Sequence, residues 1–244
     1  MEVREIRETS LVGPVASVNV RPSPANVDLM IDTDWAETVA RALLEEPLPH
    51  RWEHSRGVAA TARTLAPVLG PHADAVTTAA WLHDIGYAPT LHHCGFHPLD
   101  GALYLRDAQH ADPLVCRLVA HHSCAVFEAA ERGLAADLLR EFRPAPRDLG
   151  DALIYCDMTT GPQGQPITVE RRLAEIRHRY GPDHVVSRAL ARSAPELAAS
   201  VARVARRLAD CPAAPAAAGR KSRYGGGALA EVGTVAMVGV MLDA

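Results

Sequence analysis

The chain has 244 residues, 48% of them apolar, with a formal net charge of −4 and a pI near 6.3. That length suffices for one sizeable core, and the mild acidity leaves no electrostatic footprint for nucleic acid or an anionic membrane surface. Lys221 is the sole lysine among 25 basic residues, so an anion clamp in the folded body must be built from arginine, which suits bidentate recognition. The five cysteines at 94, 116, 124, 156 and 211 include no C-x-x-C pair, and "MEVREIRETS" alternates charge rather than opening a signal sequence. Free thiols in a cytoplasmic protein are the expectation.

Residues 1–32 include the proline-rich run "VGPVASVNVRPSPANVD" with no helical period, and read as extended or disordered. Asp34 with Glu37 reads as a capping-box start for "DWAETVARALLEE", which Pro47 and Pro49 end. "RWEHSRGVAATARTLAPVL" carries an inward stripe at Arg51, His54, Val58, Ala62 and Leu65, spaced by three and four. "ADAVTTAAWLHD" follows. His97-Pro98 and Asp112-Pro113 each place proline at a helix start, opening "PLDGALYLRDA" and "PLVCRLVAHHSCA". Further helices are expected near 146–158 and 168–179, with a final pair from 182 to 210. From residue 212 the composition is that of a linker, ending in 17 residues from Ala228 that Glu231, Gly233 and Gly239 interrupt, a poor membrane span. No segment alternates as a strand, so the expected fold is all-α, with a body over 33–211 and a disordered tail over 212–244.

The chemistry-bearing residues fall on the inward faces of these helices. His83 and Asp84 end the apolar run "AAWLHDIGYAP", where the negative end of a helix favours a cation. His54 lies on its inward stripe. The stripe of Leu114, Val115, Leu118 and Val119 ends in His121 and His122, and Asp157 lies one turn after Leu153. His97 comes from a helix start. Carboxylates on inward faces are costly unless paired, and a metal ion resolves that cost. "LHHCGFH" matches no closed zinc spacing, so His92 and His93 read as loop residues or substrate contacts. Trp52 and Trp81 read as core, and "MTTGPQGQP" after Asp157 as a loop explained by its turn residues.

The ordered set His54, His83-Asp84 and Asp157, with the wording "RWEHS" and "LHDIG", resembles the HD-domain superfamily over roughly residues 34–200. The resemblance implies a helical bundle around a mono- or dinuclear metal site, used most often for phosphohydrolysis. It implies that His54, His83, Asp84 and Asp157 hold a first ion and that Asp84 bridges to a second on His97 and His121. His121 and His122 are closely matched as the ligand; His121 is preferred by the family spacing, and His122 is then left as a catalytic group. Iron, manganese, zinc, cobalt and nickel all suit such donors. Arg51, one turn before His54, either grips substrate phosphate or orients a ligand carboxylate, and with Asp84 completes the expected catalytic set. The expected partner is a small phosphorylated substrate. The alternatives are a di-iron oxygenase of the same superfamily and a non-catalytic module that retains its metal.

Overall fold

The computed structural model describes residues 31–211, and among these the fold is all-α, as expected. Calls on residues 1–30 and 212–244 lie outside the described residues. Eleven α-helices follow one another among the described residues: α1 Thr33–Leu44, α2 Pro49–Thr64, α3 Ala66–Leu69, α4 Ala73–Leu82, α5 His97–Asp107, α6 Pro113–His121, α7 Ala125–Glu131, α8 Ala135–Glu141, α9 Arg147–Met158, α10 Val169–Tyr180 and α11 Val185–Asp210.

Helix α4 is the hub. It packs on α1, α2, α6 and α9, and every residue from Ala75 to Leu82 is buried. Only its first turn, with Asp74, meets solvent; beyond it the helix is buried on every side, and its residues are apolar apart from Thr77 and Thr78. Trp52 and Trp81 stack at 5.4 Å inside this core. α2 crosses α4 and α9, so His54 and the end of α9 share one interior. α5 packs against α6, and α11 lies across α7, α9 and α10.

Several local expectations are corrected. The cap of α1 is Asp32, whose carboxylate accepts from the backbone of Asp34 and Trp35, while Glu37 pairs with Arg41 instead of closing a capping box. Pro49 opens α2 rather than ending α1, because a first-turn proline gives up no hydrogen bond. The expected pair from 182 to 210 is one helix, α11, running through Pro195. A buried stripe of Leu190, Ser193, Leu197, Ser200 and Val204 spans the proline and holds the two halves in line. Residues 125–141, for which no element was expected, form α7 and α8. No helix among the described residues is long and apolar enough to cross a membrane.

Candidate metal centre

Three helices end at one place. α4 stops at His83, α6 stops at His122 and α9 stops just past Asp157, so three carbonyl-rich termini face a common interior. Each terminus favours a cation. α2 supplies Arg51 and His54 from the side, and the first residue of α5 supplies His97.

The histidines share one arrangement. His54 Nδ1 lies 3.0 Å from the Gly161 carbonyl, His83 Nδ1 2.8 Å from that of Ala80, and His122 Nδ1 2.7 Å from that of Val119. A carbonyl only accepts, so each Nδ1 carries the proton and each Nε2 presents a lone pair. His83 Nε2 is buried with no hydrogen-bond partner. A main-chain carbonyl behind the ring and a bare nitrogen in front is how a metal-ligating imidazole is held.

Asp84 joins two groups of these nitrogens. Its Oδ2 lies 3.6 Å from His83 Nε2, and its Oδ1 lies 3.6 Å from His97 Nε2 and 3.9 Å from His122 Nε2. His54, His83 and Asp84 offer ligand atoms all within 4.8 Å of one another, and so do Asp84, His97 and His122. His54 Nε2 also lies 2.9 Å from Asp157 Oδ1, adding the second carboxylate to the first group. His97 and His122 approach Nε2 to Nε2 at 3.2 Å. These donors fit one or two divalent transition-metal ions. The imidazole and carboxylate chemistry, the orphaned His83 Nε2 and the convergence of lone pairs all meet what such ions need.

Electrostatics hold these donors ready. Burial works to raise the pKa of Asp84, but His83, Arg51 and His97 outweigh it and keep the carboxyl well below the usual range. Asp157 is likewise held well below that range, with burial overcome by its neighbours His54 and Arg172. Burial, reinforced by His122, pushes His97 well down, and burial with His83 lowers His122, so both rings stay neutral at physiological pH. Neutral rings and ionised carboxyls are the ligating forms.

The structure brings together His54, His83, Asp84, His97 and Asp157 and corrects the choice at the α6 terminus. His121 turns away, its Nε2 donating to the Phe142 carbonyl at 2.8 Å, and His122 faces Asp84. The reason is the helix period. His122 continues the fully buried row of Val115, Leu118 and Val119, whereas His121 follows the half-buried Leu114 and Arg117. The backbone then turns through Ser123 and Cys124, both left-handed at φ 48° and 58°, an uncommon state for residues other than glycine. That bend lets the Ser123 hydroxyl donate to Asp157 Oδ2.

Arg51 donates from Nη1 to Asp84 Oδ2 at 2.8 Å, and its guanidinium lies 3.8 Å over the Tyr87 ring, which itself stacks on His97 at 3.8 Å. Asp84 raises the Arg51 pKa against the effect of burial, so the charge is secure. Of the two roles expected for Arg51, the carboxylate contact is the one present. His92 and His93 are exposed on their loop, where Asp100 accepts from the backbone of His93, Cys94 and Gly95; neither histidine reaches the cluster.

Ser123 and Arg172 escaped sequence reasoning. Arg172 is 3% exposed and donates from Nη2 to His54 Nε2 at 3.1 Å and Asp157 Oδ1 at 3.3 Å. Its one legible signal is position: it lies four residues after the Thr168 cap of α10, on a helix whose other arginines are polar-facing. Asp84, His97, His122 and Asp157 line a partly open pocket together with Arg51, Arg172 and Arg179 and with the apolar Phe127, Ile176 and Leu190.

Comparison with curated proteins finds no match, and comparison with solved structures finds none either. The HD domain family matches residues 51–176, a span that opens at Arg51 and contains every clustered histidine and carboxylate described above. HD domains bind divalent metals and form a superfamily of metal-dependent phosphohydrolase type. With that match over more than half its length, the chain belongs to the HD-domain family.

Proposed function

We propose that the protein is a metal-dependent phosphohydrolase that cleaves a phosphate ester or anhydride of a small metabolite or nucleotide. The observation that carries this reading is Asp84 itself, whose two oxygens face two separate groups of histidine nitrogens and which lines a pocket together with Arg51, Arg172 and Arg179. His54, His83, Asp84 and Asp157 hold one ion, and Asp84, His97 and His122 hold a second. When bound, such ions polarise a phosphoryl oxygen and lower the pKa of a bound water toward neutrality.

The protein's own residues do the rest. The carbonyls of Gly161, Ala80 and Val119 fix the three imidazoles in one tautomer, which keeps the donor set preorganised. Arg51 locks the orientation of Asp84, and its Nη2, only 3.4 Å from the Tyr180 hydroxyl, is the part left to meet substrate. Arginine carries its charge at every working pH and matches phosphate oxygens two at a time.

The test compares two readouts on anaerobically purified, metal-reconstituted protein. Phosphate release is followed across a panel of phosphorylated metabolites and nucleotides, and oxygen uptake across polyols and phosphonates. The hydrolase reading expects metal-dependent phosphate release, strongest with manganese, cobalt or iron. Iron-dependent oxygen uptake with no phosphate released from any substrate would replace it with the oxygenase reading.

A further inference from the structure

Arg172 stands where a cation belongs. Its Nη2 donates to His54 Nε2 and Asp157 Oδ1, two atoms 2.9 Å apart that would hold the first ion. Because His54 carries its proton on Nδ1, the Nε2 lone pair is the acceptor for that N–H bond. One lone pair serves one partner. A metal ion on His54 and Asp157 therefore displaces the guanidinium.

The displaced group does not have a ready home. Its Nη1 keeps Glu175 at 2.9 Å, but Nε is already buried without a partner, and the side chain is 3% exposed. A buried guanidinium that loses part of its acceptor set is unfavourable. The open direction is the pocket it already lines, together with Ile176 and Arg179 one and two turns further along α10. There is no lysine to compete for an anion there.

We infer that Arg172 is an anion receptor released by the metal: seated on His54 and Asp157 until an ion takes those ligand atoms, it then turns into the pocket and binds the phosphoryl group of the substrate. The proposal rests on the metal-site reading above. It makes metal and anion binding mutually reinforcing, since each relieves what the other leaves unpaired, and such coupling is reciprocal. It also differs in sign from a purely orienting role. A residue that only steadied Asp157 would strengthen metal binding, whereas one that occupies the ligands opposes it.

The experiment is calorimetric titration of the metal-stripped full chain with Mn²⁺ alone, then of the Mn²⁺-loaded chain with inorganic phosphate, for wild type and Arg172→Leu. We expect Arg172→Leu to bind Mn²⁺ at least about fivefold more tightly and to bind phosphate about tenfold more weakly or worse, as loss of charged hydrogen bonds requires. Arg172→Gln, which retains an amide donor for Asp157, replaces the leucine variant if circular dichroism shows that variant unfolded, with the same two signs expected. Weaker Mn²⁺ binding in the variant, or unchanged phosphate affinity, overturns the proposal while leaving the metal site intact. Failure of the wild type to bind Mn²⁺ overturns the metal-site reading and the proposal together.

Discussion

His54 Nδ1 donates to the carbonyl of Gly161 at 3.0 Å, across 107 residues of sequence. That bond sets which nitrogen of His54 faces Asp157 and the rest of the cluster, and it exists because the 159–167 loop lies directly on α2. The contact point is a pair of glycines. A Cβ on Gly57 would sit 2.5 Å from both Cα and O of Gly164, and one on Gly164, at φ +76°, would sit 2.6 Å from the Glu53 carbonyl.

Gly57→Ala therefore pushes the loop off α2 and takes the Gly161 carbonyl away from His54. Removing such a partner from a ligating histidine weakens metal binding about 10- to 100-fold. Metal titration of a variant whose helical circular dichroism is unchanged checks this, and wild-type affinity would show that another group orients His54.

Gly57 also marks a limit of what the sequence discloses. The inward faces of α2, α4 and α9 were legible because an apolar period of three and four is a one-dimensional signal, and His54, His83 and Asp157 sit in phase with it. Gly57 and Gly164 lie 107 residues apart, and their need for each other exists only once the loop returns. The loop residues after Asp157 read as turn chemistry; their carbonyl is the part that matters to the site. Arg172 was hidden for a similar reason, since α10 approaches His54 only in the assembled bundle.

The α6 terminus separates two adjacent histidines by function. In a two-ion protein His122→Ala should remove one ion, because His122 Nε2 faces Asp84 and His97. His121→Ala should keep full metal content and cost about 1 kcal/mol of stability, the worth of its bond to the Phe142 carbonyl. Elemental analysis alongside thermal melting distinguishes the two. The opposite pattern would restore the family-spacing choice of His121.

Arg51→Ala should lower kcat/KM for the hydrolysed substrate by about 10²-fold, the scale of losing one charged donor in such a site. Metal content should stay nearly intact, since Arg51 contacts Asp84 but supplies no ligand atom. Steady-state kinetics on protein of known metal content measures it; a rate close to wild type would limit Arg51 to a structural role.

Away from the centre, Asp151 ties α9 to α11. Its carboxylate accepts from Ser200 at 2.8 Å and from Arg203 at 2.6 and 2.7 Å. Burial works to raise its pKa, but the Arg203 and Ser200 hydrogen bonds outweigh it and lower the folded value. A carboxyl lowered on folding stabilises the protein above its unfolded pKa, and that contribution disappears as pH falls through the folded value. Asp151→Asn should therefore lose about 1–3 kcal/mol near neutral pH, with the difference from wild type shrinking below pH ~4. Urea unfolding at both pH values reads this directly; a gap that is constant with pH would mean that charge at Asp151 contributes nothing.

Asp84 is the one residue common to both groups of ligand atoms. The most direct measurement is the metal stoichiometry of the anaerobically purified chain, by mass spectrometry, for wild type, His54→Ala, His122→Ala and Asp84→Ala. The expected result is one to two ions in the wild type, loss confined to one ion in each histidine variant of a two-ion protein, and loss of all metal in Asp84→Ala with a cooperative fall in melting temperature. An Asp84→Ala protein that keeps its full metal complement and its stability would contradict the assignment of this cluster as the metal centre.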